Sequence, residues 1–339
     1  MKYPLFKVRM APDAGNGLNH VFNSGWIGEG PFVKGFEYTL SAYIGAKSIA
    51  VNSCTSALNM AFQHIRKTCH TVLTTPLTCF ATTSAILHAG LKIKWLDIDP
   101  HTLNIDLNEV DKKYEEGCAI SLVHFAGRPC ELPSIEAPIV EDCAHAFGAP
   151  VGNSPKTYAC FSFQAVKTLT TGDGGLLVPP PDLYHYFIKN RWYGMDRSLP
   201  RDQDIIEAGF KYHMNDINAS IGLSNFSLAM ESVETQKENA KFYTEQIPDL
   251  SLEFTPESSC WLFPLMVDEK ENFIRHLNHY GIEASPAHFR NDKNSCVKEY
   301  QTDLPGMDIV EQKMVCIPNG WWINQEDREF IVDIIKKGW

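Results

Sequence analysis

The sequence predicts an α/β protein with a large domain over residues 1–235 and a smaller α+β domain over residues 236–339. Short apolar runs alternate with helix-like segments from about residue 46 to 180. Such alternation is typical of βαβ units and of a mostly parallel sheet flanked by helices. The runs are continuously apolar, which suits strands covered on both faces. A chain of 339 residues is also long enough to bury a large core and add a second domain.

The predicted strands of the large domain end in polar residues. Five apolar runs are predicted strands, at 47–51, 71–74, 92–96, 118–123 and 138–141, and helices are predicted at 56–65 and 82–88. Ligands in such sheets bind beyond the carboxyl ends of the strands. Four residues at or just after these ends are therefore expected to meet in one crevice: Thr55, Phe80, His124 and Asp142.

The second half of the chain has a different pattern. From about residue 182 longer helical stretches are predicted, and residues 216–246 are expected to form one or two helices that link the domains. The small domain is predicted from a strand-like run at 260–267, a helix at 269–280 and a final helix at 325–337. Gly281 suits the end of the middle helix.

Composition excludes several kinds of partner. The formal net charge of −11 argues against nucleic acid, because phosphate backbones require basic surfaces. No run of about 18 apolar residues is present, so no membrane span is predicted, and the N-terminus lacks the apolar region of a signal peptide. The ten cysteines form no CxxC pair, and Cys118, Cys143 and Cys160 are expected to be buried free thiols. A reducing, cytoplasmic location is the expectation.

Other common site types lack their patterns. No HExxH or EF-hand loop occurs, and no metal site is predicted. No GxGxxG, GxxxxGK[ST] or GxSxG motif occurs either. Dinucleotide, P-loop and α/β-hydrolase sites are therefore unsupported.

The segment from 158 to 175 carries the strongest functional signal. An aromatic, small-residue run leads into Lys167 and then into a glycine-rich turn at 172–175. A lone lysine is usually a surface charge, but this setting predicts partial burial, which lowers a lysine pKa and makes the amine nucleophilic. Asp142 ends an apolar strand 25 residues earlier. A lysine that forms a Schiff base and a carboxylate that holds a pyridinium nitrogen are what pyridoxal phosphate (PLP) chemistry needs; a capping role for the carboxylate is the alternative.

Further residues fit the same cofactor. Thr55 and Ser56 open a predicted helix after a strand, where N–H groups and the helix dipole suit a phosphate or where they act as an ordinary N-cap. His145 contacts the phenolic oxygen of the cofactor or is a buried core histidine. Phe80 stacks on the pyridine ring or belongs to the core, and Ser162 supplies a hydroxyl near the lysine.

Taken together, these motifs resemble the DegT/StrS-type family of PLP-dependent nucleotide-sugar aminotransferases over nearly the whole chain. Any one motif is weak evidence, but the full set in the family's order is specific. The matching segments are 28–37, 51–58, 78–82, 96–99, 124–127, 141–145, 161–167, 172–175 and 209–219.

The resemblance implies a fold type I aminotransferase that forms a homodimer with shared active sites. Its expected substrates are glutamate and a nucleotide-linked keto-sugar, with a 4-keto-6-deoxy sugar favoured on family frequency. By the same resemblance Lys167 is the Schiff-base lysine, Asp142 the pyridinium partner and His145 the neighbour of the phenolic oxygen. Phe80 is then the stacking ring, and the phosphate ligands are Thr55, Ser56 and Ser162.

The chain departs from the family pattern at several positions. Cys54 stands where glycine is common, and Lys211 and His213 stand where many members have asparagine and arginine. These last two are still expected to reach the partner's phosphate. His288 and Arg290 are expected to contact the nucleotide-sugar, since an arginine fork suits a diphosphate; a salt bridge is the alternative for Arg290.

Two other functions fit the same fold. Some relatives replace the lysine by histidine and are dehydratases, and a regulator on the same fold needs no catalysis. Lys167 and Asp142 are both present here, which favours amino transfer. The sequence leaves open the nucleotide and the position of amination on the sugar.

Overall fold

The computed structural model describes all 339 residues and is built around one seven-stranded sheet. The strand order is β1-β7-β6-β5-β4-β2-β3. Strands β2 to β6 pair in parallel, whereas β7 pairs antiparallel with both β6 and β1. The strands are β1 Ile49–Val51, β2 Thr71–Thr74, β3 Lys92–Trp95, β4 Cys118–Val123, β5 Ile139–Asp142, β6 Thr157–Ser162 and β7 Gly175–Val178.

Ten α-helices accompany the strands. They are α1 Ala14–Asn23, α2 Pro31–Ile44, α3 Cys54–Ile65, α4 Phe80–His88, α5 Leu107–Lys113, α6 Tyr184–Asn190, α7 Asp216–Gln246, α8 Lys270–His279, α9 Pro305–Lys313 and α10 Gln325–Lys336. None of them combines the length and the apolar character that a membrane crossing demands.

Both faces of the large sheet are covered, as the continuously apolar strands predict. In β1, Ile49 and Val51 join one apolar core together with α3, whereas Ala50 points into a second core together with α2. Successive side chains of a strand point to opposite faces, so each face has its own packed layer. The predicted fold class, a mostly parallel sheet between helices with a smaller α+β unit, is confirmed.

The small unit has its own sheet and core. Strands β8 (Phe263–Met266) and β9 (Met314–Ile317) pair antiparallel and pack with α8 and α10. Helix α7 contributes Val233 to a large-domain core and Ala240 to the small-domain core. The predicted domain boundary lies inside this continuous helix and stays a prediction. The N-terminal segment, which the prediction assigned to the large domain, forms a β-bridge from Tyr3 to Ile282.

Most predicted elements lie within two residues of their observed bounds, and the exceptions have physical reasons. The strand-like run at 260–267 forms a strand only from Phe263, because Cys260 has a left-handed backbone (φ 53°). The segment between α6 and α7 is irregular rather than helical. Several elements were not predicted from the sequence, namely α1, α2, α5, α9 and β9. The antiparallel pairing of β7 was not predicted either, because strand direction depends on pairing between distant segments.

All ten cysteines are unpaired. Cys118, Cys143 and Cys160 are buried, as predicted from their apolar surroundings.

Candidate active site

Asp142 and Lys167 lie at the same end of neighbouring strands. Asp142 is the last residue of β5, and Lys167 follows the end of β6, which pairs with β5 in parallel. After β6 the chain folds back on itself through hydrogen bonds from Phe163 N–H to Gly174 O and from Thr171 N–H to Phe163 O. This return turn directs residues 164–170 toward the carboxyl edge of the sheet, as the predicted crevice required.

The Asp142 carboxylate is buried and fixed, with only 4% of the residue exposed. Thr82 Oγ1 donates a hydrogen bond to its Oδ2 at 2.6 Å, and the Ala144 backbone N–H donates to its Oδ1 at 3.0 Å. Thr82 in turn is hydrogen-bonded to Thr78 at 3.0 Å. Each carboxylate oxygen keeps a further lone pair, so the group can still accept a proton donor from a ligand.

Lys167 is a partly buried amine with altered basicity. Burial lowers the pKa of Lys167 from its usual value to about 8, against the opposing effect of the Asp142 charge. A lowered pKa leaves about a tenth of the amines uncharged at pH 7. The predicted nucleophilic lysine therefore has the electrostatic setting that its sequence context indicated.

His145 is held in one tautomer. The Ala126 backbone N–H donates to its Nδ1 at 3.3 Å, so in the neutral ring the proton is on Nε2. Burial, together with the charge of Lys167, lowers the pKa of His145 well below its usual value, which keeps the ring neutral. Its Nε2–H points to His288 Nε2 at 3.2 Å. His145 thus offers one directed N–H donor beside the lysine.

The N-terminus of α3 presents free backbone donors. Ser53 is the N-cap and its hydroxyl accepts from Ser56 N–H at 3.1 Å. The N–H groups of Cys54 and Thr55 have no acceptor in the chain. Thr55 is exposed at this end, whereas the Ser56 hydroxyl is buried and donates to Asn52 Oδ1 at 2.6 Å.

Strand β7 approaches this helix end very closely. A Cβ at Gly175 would overlap the Ser53 carbonyl carbon and the Cys54 nitrogen. Gly175 faces Val51 of β1 and Ser162 of β6 in the sheet. The glycine therefore brings Ser162 and the α3 N-terminus to the same part of the sheet, which is where the sequence predicted a phosphate site.

Phe80 borders an open cleft between the two domains. It is the first residue of α4 and is 39% exposed. The cleft has a volume of about 620 Å³, and His288 of the small domain lies on its other side. Phe80 is thus a wall of the crevice rather than a core residue.

The segment that holds Lys211 and His213 lies beside β1 and the turn before α3. His213 forms a β-bridge with Val51, and Asn52 N–H donates to Tyr212 O at 2.7 Å. Lys211 Nζ lies 3.1 Å from His213 Nε2 and 3.3 Å from the centre of the Trp192 ring. Burial and the Lys211 charge lower the pKa of His213 to about 4. The His213 backbone thus continues the sheet edge beyond β1, whereas Lys211 forms its own β-bridge with Trp192.

Arg290, which was expected to contact the nucleotide-sugar, is bound to carboxylates of the chain itself. The Arg290 guanidinium donates to Asp292, Asp308 and Glu311, so most of its donors are occupied by carboxylates. This arrangement matches the salt-bridge alternative.

The expectation that His124 lies in the crevice is wrong. Its ring is fully buried between Glu141 (Nε2 to Oε2, 3.0 Å) and the Cys130 N–H (2.9 Å).

Trp261 is the site residue that sequence reasoning missed. Its ring centre lies 3.6 Å from Lys167 Nζ and 4.3 Å from the centre of the His145 ring. Only its place at the start of a strand-like run marked it in the sequence, and that signal indicates a core residue. The contact depends on how the small domain packs against the lysine turn.

The residues present fit PLP in each of its parts. Lys167 offers an amine for the aldehyde, Asp142 a buried carboxylate for the ring nitrogen and His145 an N–H donor for the phenolic oxygen. The unpaired N–H groups at α3 offer donors for the phosphate. Fold and site together define a PLP-dependent transferase of fold type I.

Comparison with known proteins identifies the family. The model of the DegT/DnrJ/EryC1/StrS aminotransferase family matches residues 10–336, and the chain belongs to this family of PLP-dependent sugar aminotransferases. Similar solved structures include AtS13 from Actinomadura melliaura (39% identity, TM-score 0.94, 99% of this chain and 98% of that one). The sugar aminotransferase CalS13 from Micromonospora echinospora also superposes (35% identity, TM-score 0.94, 99% and 100% covered).

A curated relative is a transaminase of a named nucleotide sugar. UDP-4-amino-4,6-dideoxy-N-acetyl-beta-L-altrosamine transaminase from Campylobacter jejuni is 30% identical over 90% of this chain and 89% of its own length. The predicted recognition and enzyme class are confirmed by these matches.

Proposed function

We propose that this protein transfers the amino group of glutamate to a nucleotide-linked keto-sugar, with a 4-keto-6-deoxy sugar as the expected acceptor. The observation that carries the proposal is the placement of the Lys167 amine and the buried Asp142 carboxylate at one end of β5 and β6, beside free N–H groups of α3. The compound in the name of the Campylobacter jejuni relative is a UDP-linked 4-amino-4,6-dideoxy sugar, which is what amination of a 4-keto-6-deoxy sugar gives, and this supports the choice of acceptor.

Lys167 has two tasks in this proposal. PLP, when bound, supplies an electrophilic carbon and an electron-withdrawing ring. Lys167 would hold the cofactor covalently through Nζ. Lys167 Nζ would also move the proton, taking it as a base from the substrate carbon that bears the amino group and delivering it as an acid to complete the transfer. With a pKa of about 8, the ammonium form of Lys167 predominates at pH 7 and about a tenth of the amines are uncharged, so an acid and a base form are both available.

The residues around Lys167 would orient the cofactor ring and polarise it. Asp142 would keep the proton on the ring nitrogen, because a buried carboxylate strongly favours an adjacent cation. The Nε2–H of His145 would donate to the phenolic oxygen in place of its present contact with His288. Phe80, exposed on the cleft, offers a ring face for stacking.

The phosphate would bind at the α3 N-terminus. The Cys54 and Thr55 N–H groups, the Thr55 hydroxyl and the positive end of the helix dipole all favour an anion there. Ser162 lies across Gly175 from the same turn. We also propose a homodimer in which Lys211 and His213, at the sheet edge beside β1, serve the partner's phosphate.

The proposal is tested with Lys167→Ala and Lys167→Arg, using Lys336→Ala as the control at an exposed lysine. Each protein is incubated with PLP, glutamate and a panel of keto-sugar nucleotides, and products are read by mass spectrometry. The control should form amino sugar and 2-oxoglutarate in equal amounts, whereas both Lys167 variants should form neither. Amino-sugar production by a Lys167 variant at the control's rate would refute the proposal. Sugar dehydration without 2-oxoglutarate would favour a dehydratase.

A further inference from the structure

Trp261 occupies a junction between the two domains. The preceding residue, Cys260, has a left-handed backbone (φ 53°). Trp261 and Leu262 belong to the apolar core of the large domain, whereas Cys260 and Phe263 on either side belong to the small-domain core. The indole therefore projects out of the small domain's chain and into the large domain.

The indole is anchored directly beside the lysine. Its Nε1–H donates to the carbonyl of Val166, the residue before Lys167, at 3.3 Å. The Phe6 ring stacks on it with centroids 5.3 Å apart and planes 28° apart. Trp261 is 7% exposed, so its orientation is set by packing and by this hydrogen bond rather than by solvent.

Two groups of the site lie against the indole. Lys167 Nζ is 3.6 Å from the ring centre, and the His145 ring centre is 4.3 Å away. An ammonium over an aromatic face is attracted by the ring quadrupole, most strongly for tryptophan and in a desolvated site. The indole carries no charge of its own, so it can hold the ammonium without forming an ion pair that must be broken when the amine reacts.

We propose that Trp261 is a positioning residue for the reaction, in which its indole face holds the Lys167 ammonium during the interval when the lysine is free of the cofactor. The proposal rests on the proposed function, since the lysine is released only if it is the cofactor-bonding residue. In that interval the amine must stay close to the reacting carbon while it carries a proton. The small domain supplies this contact, so the position of that domain affects where the amine rests.

Other titratable groups also act on Lys167. Burial lowers the pKa of Lys167, and the side chains that raise it are Asp142 on β5, Cys54 on α3 and Cys79 just before α4. The two imidazoles that face it, His145 and His288, have pKa values lowered by burial and by the lysine itself, so they stay neutral near pH 7. A change at position 261 leaves all five of these groups in the chain.

The test compares Trp261→Phe, which keeps an aromatic face, with Trp261→Leu and Trp261→Met, which remove it. The full-length cofactor-free protein is reductively methylated over a range of pH, and the labelling of Lys167 is followed by peptide mass spectrometry. The Leu and Met variants should lower the apparent pKa of Lys167 by about one unit, whereas the Phe variant should shift it by less than about a third of a unit. In the holoenzyme, the acidic limb of the pH profile for the first half-reaction, in which the Lys167 amine acts as the base, should move to lower pH by the same amount.

The outcomes separate a positioning role from a packing role. If the Leu and Met variants are folded but label with the wild-type pKa, the inference is overturned, whatever their activity. If all three variants lose thermal stability equally and none shifts the pKa, Trp261 only fills space and the inference fails as well. Failure of the proposed function would appear elsewhere, as amino transfer by Lys167→Ala, and would leave the labelling result unaffected.

Discussion

Replacing Asp142 by asparagine should abolish most catalysis while leaving the fold intact. The amide has the shape of the carboxylate, so Oδ1 can still accept from the Ala144 N–H. The new NH₂ group can donate to Thr82 Oγ1, provided that Thr82 turns its own proton toward Thr78 Oγ1, 3.0 Å away. Because every polar group keeps a partner, we expect the free energy of unfolding to fall by about 1–2 kcal/mol only.

The catalytic loss follows from the missing charge. An opposite charge at close range raises the pKa of a cationic group by about 1–3 units, and each unit corresponds to about 1.4 kcal/mol. Without the Asp142 carboxylate, the ring nitrogen of the cofactor would be largely unprotonated at neutral pH. If the whole of this lost interaction energy raises the activation barrier, kcat for each half-reaction falls by a factor of about 10 to 1,000.

The assay is single-turnover conversion with glutamate, followed by absorbance at saturating PLP, for Asp142→Asn and for Asp111→Asn as an exposed control. A second measurement, the pKa of Lys167, needs no cofactor. Because the Asp142 charge raises the pKa of Lys167, its removal should move that pKa below its present value of about 8. An Asp142→Asn enzyme that keeps a rate within about threefold of wild type, with Lys167 titrating unchanged, would refute this account of the site.

Three further predictions concern the framework of the site. Gly175→Ala should lower the free energy of unfolding by about 1–3 kcal/mol and weaken PLP binding, because the added methyl overlaps the start of α3; unchanged affinity by titration would contradict this. His288 has its pKa lowered by burial to about 4, so an unfolded chain gains its proton first as the pH falls. Protonation of His288 alone should therefore remove about 2 kcal/mol of stability between pH 7 and pH 5, in addition to the losses from His145 and His213. His288→Asn should lose about 2 kcal/mol less than the wild type in urea titrations at the two pH values. Arg290→Ala should lower the free energy of unfolding by about 3–5 kcal/mol, because Asp292 is left buried and unpaired. A stable variant with a selective rise in the KM for the nucleotide-sugar would instead support the diphosphate contact.

The positions of most predicted strands and helices could be read closely from the sequence. Strand β4 lies where the apolar run 118–123 placed it, and α3 and α4 begin two residues before their predicted starts. Such elements are visible because burial on both faces requires an unbroken apolar run, and a polar turn must end it. The pairing of β7 was not visible, since antiparallel and parallel strands in a covered sheet have the same composition.

The reactive residues could also be found, but not their partners. Asp142 stands at the end of a predicted strand, where the edge of a parallel sheet gathers side chains, and Lys167 stands between an aromatic, small-residue run and a glycine-rich turn. His124 stands at an equivalent place and was expected beside them, yet its ring turns into the core to pair with Glu141. A strand end fixes the position of a residue along the sheet, whereas the neighbouring chain decides which way its side chain points.

The sequence by itself determined the alternation of strands and helices, the family and the lysine–carboxylate pair, because each depends on residues close together in the chain or on their order. Tertiary structure alone decided that Trp261 covers Lys167, that His288 meets His145 and that Arg290 is occupied by carboxylates. These last features depend on the docking of the small domain against the large one. That docking is set by the summed packing of many distant side chains, and no short segment of the sequence encodes it.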